Sequence, residues 1–198
     1  DATTLYGIWS GPVHSLLGMP VVLVGGVAAA VLPAISRAHV SGNKPLMDAN
    51  INSALKLTNV IALPCVLGFA CLSRQIVRLL YSSLPETDLR LAGSLLALSS
   101  ASILFLALSG TCTSIMQGTG KIYYPLMFLG ISCIVKIALN LILMPLEQIN
   151  IYAFAISTTI CYLLSAALGL RFITRRQNVK IDVMQTFFKP LACTLAMT

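Results

Sequence analysis

The amino-acid sequence predicts an all-α, polytopic transmembrane helix bundle, and three observations support this. The chain of 198 residues is 57% hydrophobic and only 10% charged, whereas a soluble domain is about 45–50% apolar and about 25% charged. Its apolar residues form runs long enough for a helix to cross the hydrocarbon core, which takes roughly 20 residues. The runs lack the alternation of barrel strands, so helices are the remaining way to satisfy a spanning backbone.

These runs predict five complete spans and the beginning of a sixth. The complete spans are Val13–Ile35, Ile51–Leu72, Leu91–Gln117, Tyr123–Leu146 and Ile151–Phe172, and the sixth covers 183–198. The first residue is Asp, and the last residues lie inside an apolar run. We therefore expect the chain, 1–198, to be a fragment of one transmembrane domain of a longer protein, and to be inactive by itself.

Short polar connections join the spans, and their basic residues predict the orientation. Seven basic residues lie in or beside connections 36–50, 118–122 and 173–182, against three in the other connections. The first group is therefore expected on the cytoplasmic side of the cell membrane. This topology explains most of the basic residues behind the net charge of +7. Attraction to anionic membrane lipids is a further explanation for them, and we expect no nucleic acid as a partner.

Two segments at the edges of spans have their own predictions. Gln75–Tyr81 has apolar residues at helical spacing around Arg78, which predicts a short helix lying at the membrane interface. Trp9 precedes the first span, where an aromatic residue is expected to anchor the helix at the interface.

The predicted complete spans contain no acidic residue. All six acidic residues lie at the N-terminus or in connections, and His14 and His39 are isolated from each other. Carboxylate-pair chemistry, a catalytic triad and a zinc site therefore have no carriers. The six cysteines lie in apolar stretches, where they are expected as small buried residues. We expect no enzyme, no catalytic residue, no metal and no cofactor.

Lys136 is the most informative single residue, because it lies near the middle of the fourth span. A cation at the bilayer centre costs roughly 2.5–3.5 kcal/mol on insertion scales and is expected to face the bundle interior or a water-filled cavity. Asn140 and Ser132 are one helical turn away on the same face. One interpretation is a cavity cation that meets an anionic substrate group. The other is a lysine paired with a carboxylate or carbonyl elsewhere in the protein, holding helices together.

Further cavity candidates lie near the ends of other spans. Lys56 and Asn59 are in the first two turns of the second span, where a lysine can also reach the interface. Gln117 ends the third span before a turn with two glycines, so it is either a loop residue or a headgroup contact. Pro20, Pro33 and Pro64 are expected to kink their helices, as a static feature or where a transporter bends.

A series of short motifs, taken in order, resembles the stage V sporulation protein B-like family. No single motif is specific, but the series covers nearly the whole chain. The motifs are Gly18–Pro20 with Val31–Ala38, Ala54–Thr58 with Leu63–Gly68, Gln75–Tyr81, Met116–Lys121 and Lys136–Asn140.

This family belongs to the multidrug/oligosaccharidyl-lipid/polysaccharide exporter superfamily. The resemblance implies two bundles of six helices facing a central cavity, with this chain beginning near the second helix of the C-terminal bundle. It also implies flipping of a lipid-linked sugar across the cytoplasmic membrane, for polysaccharide, cell-wall or spore synthesis. The missing N-terminal bundle would be the structural partner.

One departure bears on the substrate. The lipid II flippases of the superfamily carry an acidic–basic pair five to six residues before the proline that matches Pro20. This chain has His14 and Ser15 there, so the resemblance favours the sporulation and polysaccharide branch, with Lys136 supplying a cavity charge.

Two alternative functions stay open. A cation-coupled multidrug antiporter of the same superfamily usually wants an intramembrane carboxylate, which the five spans lack. A non-transporting membrane assembly factor would not need a lysine in the middle of a span.

Overall fold

The fold was obtained as a computed structural model, which describes residues 7, 9–81, 85–143 and 152–176. Within these ranges a π-helical turn, Trp9–Val13, leads into five α-helices. The helices are α1 (His14–Val40), α2 (Lys44–Leu80), α3 (Glu86–Gly118), α4 (Tyr123–Leu143) and α5 (Tyr152–Arg176).

All five helices are long and apolar enough to cross a membrane. The expected all-α bundle with five apolar helices is therefore confirmed. The predicted sixth span, 183–198, and the connection 147–150 lie outside the described residues.

Helix α3 forms the centre of the bundle and packs on α1, α2 and α5. Helix α4 lies at the periphery, because it packs chiefly on α5 and only lightly on α3. Two large apolar clusters lie around Leu95 and Leu96 and around Ile115 and Met116, and a smaller third cluster includes Ala107. The interior is therefore organised around α3.

Side-chain hydrogen bonds join the helices inside the apolar layer. Thr58 of α2 and Thr111 of α3 are buried with their hydroxyl oxygens 2.7 Å apart. Ser109 of α3 and Ser165 of α5 are also buried, at 2.7 Å. Such contacts between spanning helices contribute about 0.6–2 kcal/mol each, so they help to hold α2 and α5 on α3.

The helices extend beyond the predicted spans, so the predicted connections 36–50 and 73–90 are too long. Helix α1 continues to Val40, and α2 begins at Lys44. The turn between them needs Gly42, whose φ of 67° favours glycine. Asn43 caps α2 by accepting a hydrogen bond from the Leu46 N–H at 3.2 Å. Hydropathy reports where a helix leaves the hydrocarbon, whereas its backbone can stay helical well into the headgroup layer.

The prediction of a separate interfacial helix at Gln75–Tyr81 is wrong. Residues 75–80 form the last turns of the continuous helix α2. Val77 is fully buried in the core, whereas Leu79 and Leu80 are exposed. Burial of Val77 against the bundle favours continuing the helix over turning it into the interface.

Trp9 is also placed differently from the expected interface anchor. Its side chain is buried, and its ring lies 6.5 Å from that of Phe154 on α5. The bundle offers this aromatic residue an apolar neighbour, which the sequence before the first span does not reveal.

Candidate functional site

The strongest candidate site is a polar seam between α4 and α5, formed by Ser132, Lys136 and Asn140 facing Ser157 and Cys161. The three residues of α4 follow one another at intervals of four and therefore share one helix face. Ser132 is fully buried, whereas Lys136 and Asn140 are half-buried. Because α4 packs chiefly on α5, this face is the one that meets the bundle.

Helix α5 supplies matching polar groups at the same spacing. The Ser157 hydroxyl donates to Asn140 Oδ1 at 2.6 Å. One turn further along α5, the buried Cys161 lies on the same helix face as Ser157. The two helices run antiparallel here, so residues later in α4 face residues earlier in α5.

The Lys136 ammonium has no carboxylate partner among the described residues. It can donate three hydrogen bonds and carries a full positive charge. The buried Ser132 hydroxyl one turn away also lacks a hydrogen-bond partner within the described part of the chain. The seam therefore holds unused donors next to a cation, which is the chemistry that binds an anionic oxygen.

Lys56 and Asn59 on α2 do not join this seam. Lys56 is exposed, whereas Asn59 is fully buried next to the Thr58–Thr111 contact. Helix α2 packs on α1 and α3, whereas α4 packs chiefly on α5. The described residues therefore place the sequence candidates in two groups rather than in one cavity.

Gln117 is exposed in the last turn of α3. Its neighbour Gly118 packs against Ile35 of α1, and a Cβ atom on Gly118 would lie 3.2 Å from that side chain. Gly120 then takes a φ of 74° to turn the chain toward α4. Gln117 is therefore held at the end of the bundle, away from the seam.

The three prolines lie within helices that continue on both sides of them, Pro20 and Pro33 in α1 and Pro64 in α2. Pro20 is buried, whereas Pro33 and Pro64 are exposed. Each removes one backbone hydrogen bond from its helix.

Ser157 and Cys161 were missed in the sequence. The signal that identifies them is their spacing, because Ser157 and Cys161 are four residues apart, as are Lys136 and Asn140. The spacing alone is incomplete, since Ser165, the next residue of this series, contacts Ser109 of α3 instead. Two matched polar stripes on successive spans indicate that the helices face each other, whereas a polar residue taken alone does not.

Comparison with known proteins gives consistent results. The model of the family described as lipid II flippase MurJ matches residues 14–198. An uncharacterized membrane protein of Bacillus subtilis, YabM, is 27% identical over 96% of this chain and 37% of its own length. The lipid II flippase MurJ of the same organism is 27% identical over 87% of this chain and 31% of its own length.

A solved structure of a lipid II flippase MurJ in an inward closed conformation has the same fold, with a TM-score of 0.78 and 20% identity. The match covers 90% of this chain and 37% of that one. The chain thus spans about a third of the length of the proteins it matches.

Proposed function

The chain belongs to the MurJ lipid II flippase family, and on that basis we propose that the full-length protein flips a lipid-linked sugar across the cell membrane. The substrate is a polyprenyl pyrophosphate carrying a peptidoglycan or polysaccharide precursor. The finer placement in the stage V sporulation protein B-like branch has no support from the matching family model. Movement occurs by alternating access between this bundle and the rest of the protein.

The physical problem of such transport is the charged head of the substrate. An isolated ion in an apolar medium is extremely costly, so the path must replace the water around the pyrophosphate. The observation that carries the proposal is Lys136, a half-buried cation in the middle of a span, with Ser132 and Asn140 beside it. A cation is costly at this depth, and an anionic ligand would offset that cost.

In this account Lys136 contacts a pyrophosphate oxygen during passage, and the hydrogen bond from Ser157 to Asn140 holds α5 against α4 beside it. Lys56 and Gln117, both exposed and outside the seam, are proposed as separate contacts to the sugar head. Asn59 was a candidate in the sequence, but its full burial inside the bundle leaves it no access to a substrate. Membrane lipids surround the exposed face of α4, and the lipid tail of the substrate stays among them.

The test is transport of a fluorescent lipid-linked precursor by the full-length protein in liposomes. Lys136→Leu is expected to reduce the flipping rate at least about tenfold, since even one charge-assisted hydrogen bond is worth this factor. Lys136→Arg should retain part of the activity. Lys44→Gln, at the exposed start of α2, is the matched control and should transport normally. Normal transport by Lys136→Leu, at normal expression, would refute the role of this lysine.

The identity of the sugar is a separate question. His14 and Ser15, exposed at the start of α1, stand where the lipid II flippases resembled by the sequence carry an acidic–basic pair. This observation supports a substrate of the sporulation and polysaccharide branch as the second candidate. Parallel flipping assays with lipid II and with another polyprenyl pyrophosphate sugar distinguish the two.

The other functions have less support. A cation-coupled antiporter would need an intramembrane carboxylate, and the acidic residues of these five helices lie near helix starts. Glu86 and Asp88 are in the first turn of α3, and Asp48 is in the second turn of α2. A membrane assembly factor that transports no substrate would not need Lys136 in the seam. Drug-dependent cation exchange in the same liposomes, without flipping, would favour the antiporter.

The cytoplasmic placement of connections 36–50, 118–122 and 173–182 is likewise proposed. Contact between Gly118 and Ile35 supports it, because it brings the ends of α3 and α1 to one side of the bundle. Arg37 and Lys121, both exposed, lie at that end. In a variant without the native cysteines, Ser41→Cys in the exposed turn between α1 and α2 should react with an impermeant reagent only after the cells are opened. Labelling of intact cells would invert the orientation.

A further inference from the structure

A second charged feature lies at the other end of the bundle, away from the seam. The last turns of α2 and the first turn of α3 form a groove of about 390 Å³. Three arginines, one carboxylate and one amide surround a small apolar floor. The lining residues are Arg74, Gln75, Arg78, Glu86, Leu89 and Arg90.

The positive charges in this groove are largely uncompensated. Glu86 contacts Arg90 at 3.8 Å, and both side chains are well exposed, so this pair is weak. Arg74 and Arg78 have no ion-pair partner among the described residues. They are one turn apart on α2, where two like charges repel each other. The lining thus keeps a net charge of two positive units with no anion to balance it.

The position of the groove defines the kind of anion that can reach it. Arg74 lies two residues beyond the apolar run Ile51–Leu72, and Arg90 directly precedes the run Leu91–Gln117. Arg78 is one turn, about 5.4 Å, further out. All three guanidinium groups therefore lie at the boundary between hydrocarbon and headgroups, where the phosphates of lipids are found.

Packing holds one of the arginines in the groove. The stem of Arg74 lies across Gly93 of α3, and a Cβ atom on Gly93 would be 2.9 Å from Arg74 Cγ and 3.3 Å from its Cα. Only glycine at position 93 lets the aliphatic part of Arg74 pass this close without a shift of either helix. The start of α3 adds the partial positive charge of a helix N-terminus to the same groove.

We propose that this groove binds the phosphate of a lipid headgroup, held by Arg74 and Arg78 with Arg90 at its rim. Guanidinium groups bind phosphate oxygens in pairs of parallel hydrogen bonds, and Gln75 offers a further donor. The bound phosphate relieves the repulsion between the arginines and ties the end of α2 to the start of α3. The groove shares no lining residue with the seam.

The experiment uses the full-length protein, purified in detergent with phosphatidylglycerol added, and native mass spectrometry to count the lipids retained. Arg74→Gln with Arg78→Gln should weaken retention about tenfold or more, since paired charge-assisted hydrogen bonds are lost. The control is Arg37→Gln with Lys44→Gln, which removes two exposed basic residues from the other end of the bundle. This control should retain the lipid as the parent protein does.

Two results would overturn the proposal. One is undiminished retention by the arginine variant, and the other is an equal loss in the control, which would indicate diffuse attraction to basic residues. If the arginine variant folds poorly, Arg74→Lys with Arg78→Lys replaces it. This variant keeps the charge but loses the paired geometry, so it should bind several-fold more weakly, and undiminished retention here too would refute the site.

Addition of inorganic pyrophosphate distinguishes two sources of the bound phosphate, a membrane phospholipid and a polyprenyl pyrophosphate. Displacement of phosphatidylglycerol by millimolar pyrophosphate would assign the groove to a polyprenyl pyrophosphate head. Retention of the lipid against pyrophosphate would assign it to a membrane phospholipid.

Discussion

Helices α3 and α4 have nearly equal mean hydropathy in their most apolar segments, 2.1 and 2.3, yet they occupy opposite environments. In α3, 56% of that segment is buried inside the bundle, against 6% in α4. The buried face of α3 includes Ser99, Ser102 and Ser109, whereas α4 exposes large apolar side chains. In a membrane, small and polar residues face the protein and bulky apolar ones face lipid, because lipid tails solvate leucine as well as the interior does.

The largest difference is expected from removing a leucine side chain in each helix. Leu96 of α3 is fully buried, whereas Leu141 of α4 is 73% exposed. Leu96→Ala should destabilise the protein by about 2–5 kcal/mol, because a cavity remains in a packed core. Leu141→Ala should change stability by less than about 0.5 kcal/mol. Unfolding of the full-length protein in detergent measures both, and equal losses would contradict the peripheral placement of α4.

A second pair of variants adds volume instead of removing it. A Cβ atom on Gly169 of α5 would lie 2.9 Å from Cys112 Cβ of α3, whereas Gly130 of α4 has nothing within 4 Å. Gly169→Leu should cost about 1–3 kcal/mol or more by overpacking, and Gly130→Leu should be tolerated. Thermal unfolding of both variants gives the comparison. Tolerance at Gly169 would mean that α3 and α5 are not in close contact.

A smaller effect is expected from the hydroxyl contact on the buried side of α3. A double-mutant cycle with Thr58→Val and Thr111→Val should give a coupling of about 0.6–2 kcal/mol. The corresponding cycle at the seam, with Asn140→Ala and Ser157→Ala, should give a similar or smaller value, because that pair is only partly buried. Zero coupling at Thr58 and Thr111 would remove the proposed polar link between α2 and α3.

The sequence predicted the features that depend on local composition. Runs such as Leu91–Gln117 identified the five spans, and a cation in an apolar run identified Lys136. It did not predict helix ends such as Leu80, because a polar residue can leave the hydrocarbon while its backbone stays helical. The sequence also could not predict that α4 packs on α5, since that packing depends on contacts between the two helices, such as Asn140 with Ser157.

The three arginines of the groove have a structural arrangement that the sequence does not indicate. In the sequence, Arg74, Arg78 and Arg90 are the three basic residues that oppose the seven on the predicted cytoplasmic side, and Arg78 also lies within the predicted interfacial helix. Their convergence depends on how the end of α2 packs beside the start of α3 and on the space left by Gly93. No spacing rule along one segment reveals this arrangement.

The central claim is that Lys136 in the α4–α5 seam serves transport rather than folding. The most direct measurement is Lys136→Met in the full-length protein, with unfolding temperature and flipping rate determined on the same preparation. Removing a cation from the bilayer interior relieves a desolvation cost, so we expect an unchanged or higher unfolding temperature together with loss of flipping. A lower unfolding temperature with undiminished flipping would contradict the account and make Lys136 a structural residue.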